Sequence, residues 1–255
     1  MNILLSNDDG IECEGILKLA AALRAKGTHR ILVIAPDTNR SGVSHAVSLL
    51  NVPVKLVQVG EDMWSCSGYP ADCVIAAVRG ALPVKPDMVL SGINQGENLG
   101  TDLIYSGTAA AARQASLAGI PAVALSLAHC PAHCPAPGSG GHDVYYWDMA
   151  AAWVADHLDE LAALWHSGSF VNVNIPNTPS GPAGMQESWL AVKSYADKMT
   201  ITEAPDGRWC FLESAAAKID YKTGSDCEAV ARNFVSITSV HCHPLADQRA
   251  ELRQP

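Results

Sequence analysis

The sequence predicts an α/β fold: a mostly parallel sheet built by residues 1–176, followed by a β-rich extension over 177–255. Three observations lead there. Short apolar runs of strand length recur at 2–6, 31–35, 87–90, 122–126 and 170–175. Stretches with helical spacing or dense in alanine lie between them. After Pro176 the character changes to Gly, Pro and Ser and then to short extended segments. Strands that alternate with helices are the signature of a parallel sheet covered by helices. Hydrophobic residues make up 48% of the 255, enough for one sizeable core.

Taken in order, Asn2-Ile3-Leu4-Leu5-Ser6 reads as a buried strand with a turn ending at Gly10. Ile16, Leu17, Leu19, Ala20 and Leu23 make a helical stripe to Lys26, and Gly27 is a helix stop. Ile31-Leu32-Val33-Ile34-Ala35 is a second buried strand closed by Pro36. Residues 46–50 and 52–59 read as extended. Residues 69–81 read as a helix, with Pro70 near its start and Asp72 in its first turn. A strand is predicted at 87–90, an alanine-rich helix at 108–118 ended by Gly119, and a strand at 122–126. Residues 129–141 are rich in breakers and read as a loop; 144–165 reads as one long amphipathic helix and 170–175 as a strand. In the extension, 189–192, 199–203 and 208–212 read as extended. Ala204-Pro205-Asp206-Gly207 marks a turn, so 199–212 is predicted to be a β-hairpin. A short helix at 226–232 and a strand at 234–240 complete the chain.

The formal charge of −9 argues against a nucleic-acid polymer as partner, which would call for a basic face. A small anionic substrate stays compatible, because a bound cation inverts the local field. The first residues lack a basic segment and a long apolar run, and no apolar stretch is long enough to span a bilayer, so a cytoplasmic, membrane-free protein is expected. Its eight cysteines are then expected to be free thiols. His129-Cys130-Pro131-Ala132-His133-Cys134 holds four zinc-type ligands, but closed zinc sites draw pairs from separate segments, so an irregular loop is expected. His241-Cys242-His243 is treated likewise, since alternating residues cannot all face one ion.

Ligands of open parallel sheets bind beyond the carboxyl ends of the strands. Three such ends carry short polar residues with glycine: Ser6-Asn7-Asp8-Asp9-Gly10, Pro36-Asp37-Thr38-Asn39-Arg40-Ser41-Gly42, and Ser91-Gly92-Ile93-Asn94 running on to Gly100. Adjacent carboxylates resist joint burial, and a divalent cation resolves the conflict. Asp8, Asp9, Ser41 and Asn94 offer an all-oxygen set suited to Mg²⁺ or Mn²⁺. Ser106-Gly107-Thr108 opens a helix, where backbone N–H groups and the helix dipole favour an anion. An ordinary N-cap at Ser106 or Thr108 is compatible with that role.

These blocks, taken with Tyr105 before Ser106 and with Asn172-Val173-Asn174-Ile175-Pro176 and Asp226-Cys227-Glu228-Ala229-Val230, resemble the SurE family. Its members are stationary-phase survival proteins that act as 5′-nucleotidases. The resemblance implies a Rossmann-like, mostly parallel sheet with helices on both faces, plus a C-terminal β-rich extension. It implies hydrolysis of nucleoside monophosphates, with 3′-nucleotides and short polyphosphate as further substrates. One divalent metal per subunit is implied on Asp8, Asp9, Ser41 and Asn94. Substrate contacts are implied at Asn98, Ser106, Gly107 and Thr108, and a homodimer or homotetramer that exchanges C-terminal segments. The chain departs from the family pattern at Gln114-Ala115, where Glu-Gly is frequent, and at 129–142 and 239–245.

The mechanism expected from these residues is attack of a water on phosphorus. Asp8 orients or deprotonates that water, Asp9 shares the metal, and Asn94 with the 106–108 turn holds the phosphate. No Gly-x-Gly-x-x-Gly follows the first strand and no Walker pattern is present, which disfavours a dinucleotide-dependent oxidoreductase and an ATPase. The adjacent aspartates also differ from the Asp-x-Asp of haloacid-dehalogenase-like phosphatases. A binding module without a metal centre would keep the glycines and dispense with the paired carboxylates.

Overall fold

The computed structural model describes residues 1–129, 144–213 and 217–243. Successive side chains on a strand point to opposite faces, and that alternation sorts the core into two layers. Strand β1 (Asn2–Ser6) sends Ile3 and Leu5 into one hydrophobic cluster and Leu4 into the other. Helix α1 (Glu14–Lys26) covers the first face with Ile16, Leu19 and Leu23, and Gly27 closes it at φ 66°. Strand β2 (Arg30–Pro36) repeats the pattern, with Ile31 and Val33 on one side and Leu32 and Ile34 on the other. Strands β3 (Leu56–Gly60) and β4 (Met63–Cys66) pair antiparallel. Helix α2 (Pro70–Ala76) runs into a π-helical turn, Ala77–Ala81. Strand β5 (Met88–Gln95) leads to a 3-10 turn, Gly100–Ile104, and then to helix α3 (Gly107–Leu117).

Strand β6 (Ala122–Ala128), helices α4 (Trp147–Asp156) and α5 (Leu158–Ala163), and strand β7 (Ser169–Pro176) follow. Beyond them come β8 (Gly184–Glu187), β9 (Lys193–Ser194), β10 (Lys198–Ala204), β11 (Gly207–Glu213), β12 (Lys218–Ile219), α6 (Asp226–Ala231) and β13 (Phe234–His241). Among the described residues a nine-stranded sheet runs in the order β3-β4-β2-β1-β5-β6-β7-β13-β8. From β4 to β7 every neighbour is parallel; β3 and β13 pair antiparallel with β4 and β7. Helices α1, α4 and α5 pack on one face, and α2 and α3 on the other. The predicted Rossmann-like α/β architecture, with helices on both faces, is therefore the observed one.

Several elements differ from the expectation. Residues 46–50 form no strand, because the Asp72 carboxylate takes the N–H groups of Ser48 and Leu49 that a ladder would use. The strand expected across 52–59 is confined to β3, and β4 was not foreseen. The long helix over 144–165 is broken at His157, whose ring Nδ1 bonds the Trp153 carbonyl at 2.8 Å and stacks on the Trp153 ring. The same carbonyl keeps the His157 backbone N–H at 3.1 Å, so it serves two donors at the break. Residues 189–192 make one isolated bridge, Trp189 to Ser225, and the strand forms at β8 instead. The sheet does not stop at residue 176: β8 and β13, both from the extension, are two of its nine strands. The hairpin predicted over 199–212 is present as β10–β11 and stands apart from that sheet. Of the four ligand-type residues at 129–134, only His129 lies within the described residues.

Candidate active site at the sheet's carboxyl edge

The parallel register places the predicted residues side by side. Ser6 at the end of β1 is level with Ser91 in β5, so Asp8 and Asp9 rise beside Asn94. Asn94 lies within β5 rather than after it, since the strand continues to Gln95. Helix α3 begins at the same edge, with Ser106 as its N-cap.

Asp8 is buried and heavily bonded. Its Oδ2 accepts the Gly107 N–H at 3.0 Å and the Thr108 N–H at 3.1 Å, and its Oδ1 accepts the Thr108 hydroxyl at 2.7 Å. Hydrogen bonds to a charged group contribute roughly 1.5–3 kcal/mol each. Even so, burial outweighs them and raises the Asp8 carboxyl above the ordinary range. Asp9 is pushed up to about 6, first by burial and then by the charge of Asp8, against one N–H from Gln95 to its Oδ2 at 3.1 Å. Among the described residues no donor is bonded to Asp9 Oδ1. The Thr108 hydroxyl also lies 3.4 Å from Asn94 Oδ1, while Asn94 Nδ2 donates to the Gly96 carbonyl at 2.9 Å. The amide oxygen is thereby turned towards the Thr108 hydroxyl that also bonds Asp8.

Gly107 is required here by close approach. A Cβ on it would lie 2.8 Å from Asp8 Cβ, 2.9 Å from Asp8 Oδ2 and 3.1 Å from Pro70 Cγ. The second strand's loop docks on the same turn: Arg40 donates its N–H to the Asp8 carbonyl at 2.7 Å. Ser41 follows on that loop, exposed. Its N–H bonds Asn39 Oδ1 at 2.8 Å, and its hydroxyl is not hydrogen-bonded to either carboxylate.

The structure thus brings Asp8, Asp9, Asn94, Gly107 and Thr108 together and sets the Ser41 loop beside them. All four predicted substrate contacts are otherwise engaged. The N–H groups of Gly107 and Thr108, expected to face a phosphate, point at Asp8 Oδ2. Ser106 Oγ accepts the Ala109 N–H at 3.0 Å, the N-cap alternative of the sequence reading. Asn98 is a buried brace: its amide donates to Ser126 Oγ at 2.8 Å, and its backbone bonds Asn172 and Asn174.

Two bracing residues carried no sequence signal of their role. Asp72 fixes the 44–50 loop by accepting from Ser48, Leu49 and Tyr69. Asp226 accepts the Gly100 N–H at 2.6 Å and the Ala191 N–H at 2.8 Å. Both read as helix N-terminal acids in the sequence, and that ordinary role hides their long-range bonds.

The donor set fits a hard divalent cation. Two desolvated neighbouring carboxylates and an inward amide oxygen are the ligands such an ion takes. Among the described residues no group of three or more His, Cys, Asp or Glu could hold a metal, so a soft, zinc-type site is not formed there.

Comparison with known proteins relates the chain to one family. The family model described as Survival protein SurE matches residues 3–197. A 5′-nucleotidase SurE of Acinetobacter baumannii (strain SDF) is 37% identical over 253 residues, covering 94% of this chain and 93% of its own length. Another from Synechococcus sp. (strain JA-3-3Ab) is 40% identical over 249 residues, covering 93% and 90%. The crystal structure of the Sure protein from Aquifex aeolicus superposes with a TM-score of 0.77 at 30% identity and covers all of both chains.

Proposed function

The chain belongs to the Survival protein SurE family, and from that premise we propose that it is a divalent-metal-dependent phosphomonoesterase hydrolysing nucleoside 5′-monophosphates to nucleoside and phosphate. Nucleoside 3′-monophosphates and short polyphosphate are further substrates under the same reading. The observation that carries it is the crowded pair Asp8 and Asp9, both raised by burial, with Asn94 Oδ1 drawn into the same hydrogen-bonded set. Asp8, Asp9, Asn94 and, from its adjacent loop, Ser41 would hold one Mg²⁺ or Mn²⁺. Such an ion, when bound, supplies neutralisation of the charge that develops on the phosphoryl oxygens.

The chain's own residues divide the remaining work. Asp8 is immobilised by three donors and fixes the turn that opens α3. Its oxygens are committed, which moves the proton-accepting role from Asp8, the sequence's candidate, to Asp9. Among the described residues Asp9 makes one hydrogen bond, through Oδ2, and its Oδ1 is left open to a water. Asn94 orients its amide oxygen through the Gly96 carbonyl.

A cytoplasmic location and a homodimer or homotetramer belong to the same proposal. No helix among the described residues is long and apolar enough to cross a membrane. The β10–β11 hairpin exposes Met199, Ile201, Trp209, Phe211 and Leu212, a surface that a second copy would cover.

The test is phosphate release from AMP, GMP and p-nitrophenyl phosphate after chelation and after restoring Mg²⁺ or Mn²⁺. Activity is expected to vanish without metal and to fall at least a hundredfold in Asp8→Asn, as expected when a group that acts in the transition state is removed (~10²-fold or more). Undiminished hydrolysis in either condition overturns the reading.

A further inference from the structure

We infer that Arg40 is a phosphate-binding residue of this site, holding the phosphoryl group of the substrate through its guanidinium. The inference rests on the phosphomonoesterase reading above and adds a residue to it. The need comes from the geometry at α3: the N–H groups of Gly107 and Thr108 are taken by Asp8, so a substrate phosphate requires other donors.

Arg40 is placed to supply them. Its backbone N–H is bonded to the Asp8 carbonyl at 2.7 Å. Its guanidinium carbon sits 5.6 Å from the centre of the Tyr69 ring, and the next residue, Pro70, is the one that crowds Gly107. Asp8, Arg40, Tyr69-Pro70 and Gly107 therefore close a ring of contacts around one place. The plane of the guanidinium is fixed by Tyr69 on its face and by Nη2, which donates to Asp37 Oδ1 at 3.2 Å and to the Ser67 carbonyl at 3.3 Å. Its Nε is buried with no acceptor among the described residues, and 31% of the side chain stays exposed. The ion pair it makes is to Asp37, and not to Asp8 or Asp9. A guanidinium held in one orientation with part of its edge exposed is the form in which arginine binds phosphate.

The experiment uses the full chain with Mg²⁺ and compares wild type with Arg40→Met and Arg40→Lys. Inorganic phosphate binding is measured by calorimetry, AMP hydrolysis by phosphate release, and the Mg²⁺ activation midpoint in parallel. Arg40→Met is expected to weaken phosphate binding and lower kcat/KM for AMP by about tenfold to a hundredfold, as for loss of a charge-assisted pair. The Mg²⁺ midpoint is expected to stay put, added guanidinium ion to restore part of the activity, and Arg40→Lys to fall between. Unchanged phosphate binding in Arg40→Met overturns the inference. So does a shifted Mg²⁺ midpoint without guanidinium rescue, which marks Arg40 as a brace for the loop that carries Ser41. Failure of the wild type to hydrolyse AMP would instead count against the function itself.

Discussion

At the scale of single residues, the site is a balance between burial and hydrogen bonding, and Asp9 is where burial wins. Its carboxyl titrates near 6 in the folded chain against 3.8 as its ordinary value. Between those values the folded state holds the proton that the unfolded state has released. Stability of the metal-free protein therefore falls as pH rises through that window, and the full penalty persists above it. The shift corresponds to at most about 3 kcal/mol. Asp9→Asn is accordingly expected to raise the melting temperature of metal-free protein at pH 7.5 by a few degrees and to change it little at pH 4. Under the proposed metal site, saturating Mg²⁺ is expected to reverse the order, since wild type alone would keep both carboxylates. A metal-free Asp9→Asn protein that melts below wild type at pH 7.5 would refute this.

At the scale of elements, the extension grips the active edge from outside. The turn at Gly100–Ile104, which leads into α3, is held by residues far along the chain. Asp226 at the start of α6 takes the Gly100 N–H, and Thr101 Oγ1 exchanges hydrogen bonds with the Lys193 backbone. The Lys193 ammonium bonds Asp102. Burial alone would lower it, but Asp102 and Glu97 hold it above its ordinary range. Asp226→Ala leaves the Gly100, Ala191 and Cys227 N–H groups without their acceptor. A loss on the order of 3 kcal/mol follows from unsatisfied buried donors costing about 1–3 kcal/mol each. Urea unfolding should show it as a lower midpoint with an unchanged slope. A midpoint within error of wild type would mean that the extension does not brace the turn.

At the scale of the whole molecule, one sheet and one outlying hairpin divide the work. The hairpin has apolar side chains on both faces: the register sets Met199 against Leu212 on one, with Phe211 and Trp209 on the other. A two-stranded ribbon of this kind has no core of its own. Under the proposed homo-oligomer, substituting Ile201→Thr, Trp209→Thr and Phe211→Thr is expected to reduce the mass measured by light scattering, while the circular dichroism of the sheet is kept. An unchanged mass would remove the hairpin from the interface. The sequence by itself determined the strand and helix alternation, because strand and helix periods are local properties of the chain. It also singled out Asp8, Asp9, Asn94 and the Ser106-Gly107-Thr108 turn as neighbours, because those residue types sit next to strand ends that local pattern locates. Only the tertiary structure decided how those atoms are engaged. It turned the Gly107 and Thr108 N–H groups to Asp8, made Asn98 a brace, broke the 144–165 helix at His157 and drew β8 and β13 into the central sheet. Apart from the His157 break, which is made with Trp153 four residues away, each of these depends on partners tens of residues away, and a hydrogen-bond donor's choice among distant acceptors leaves no period or motif in the sequence that carries it.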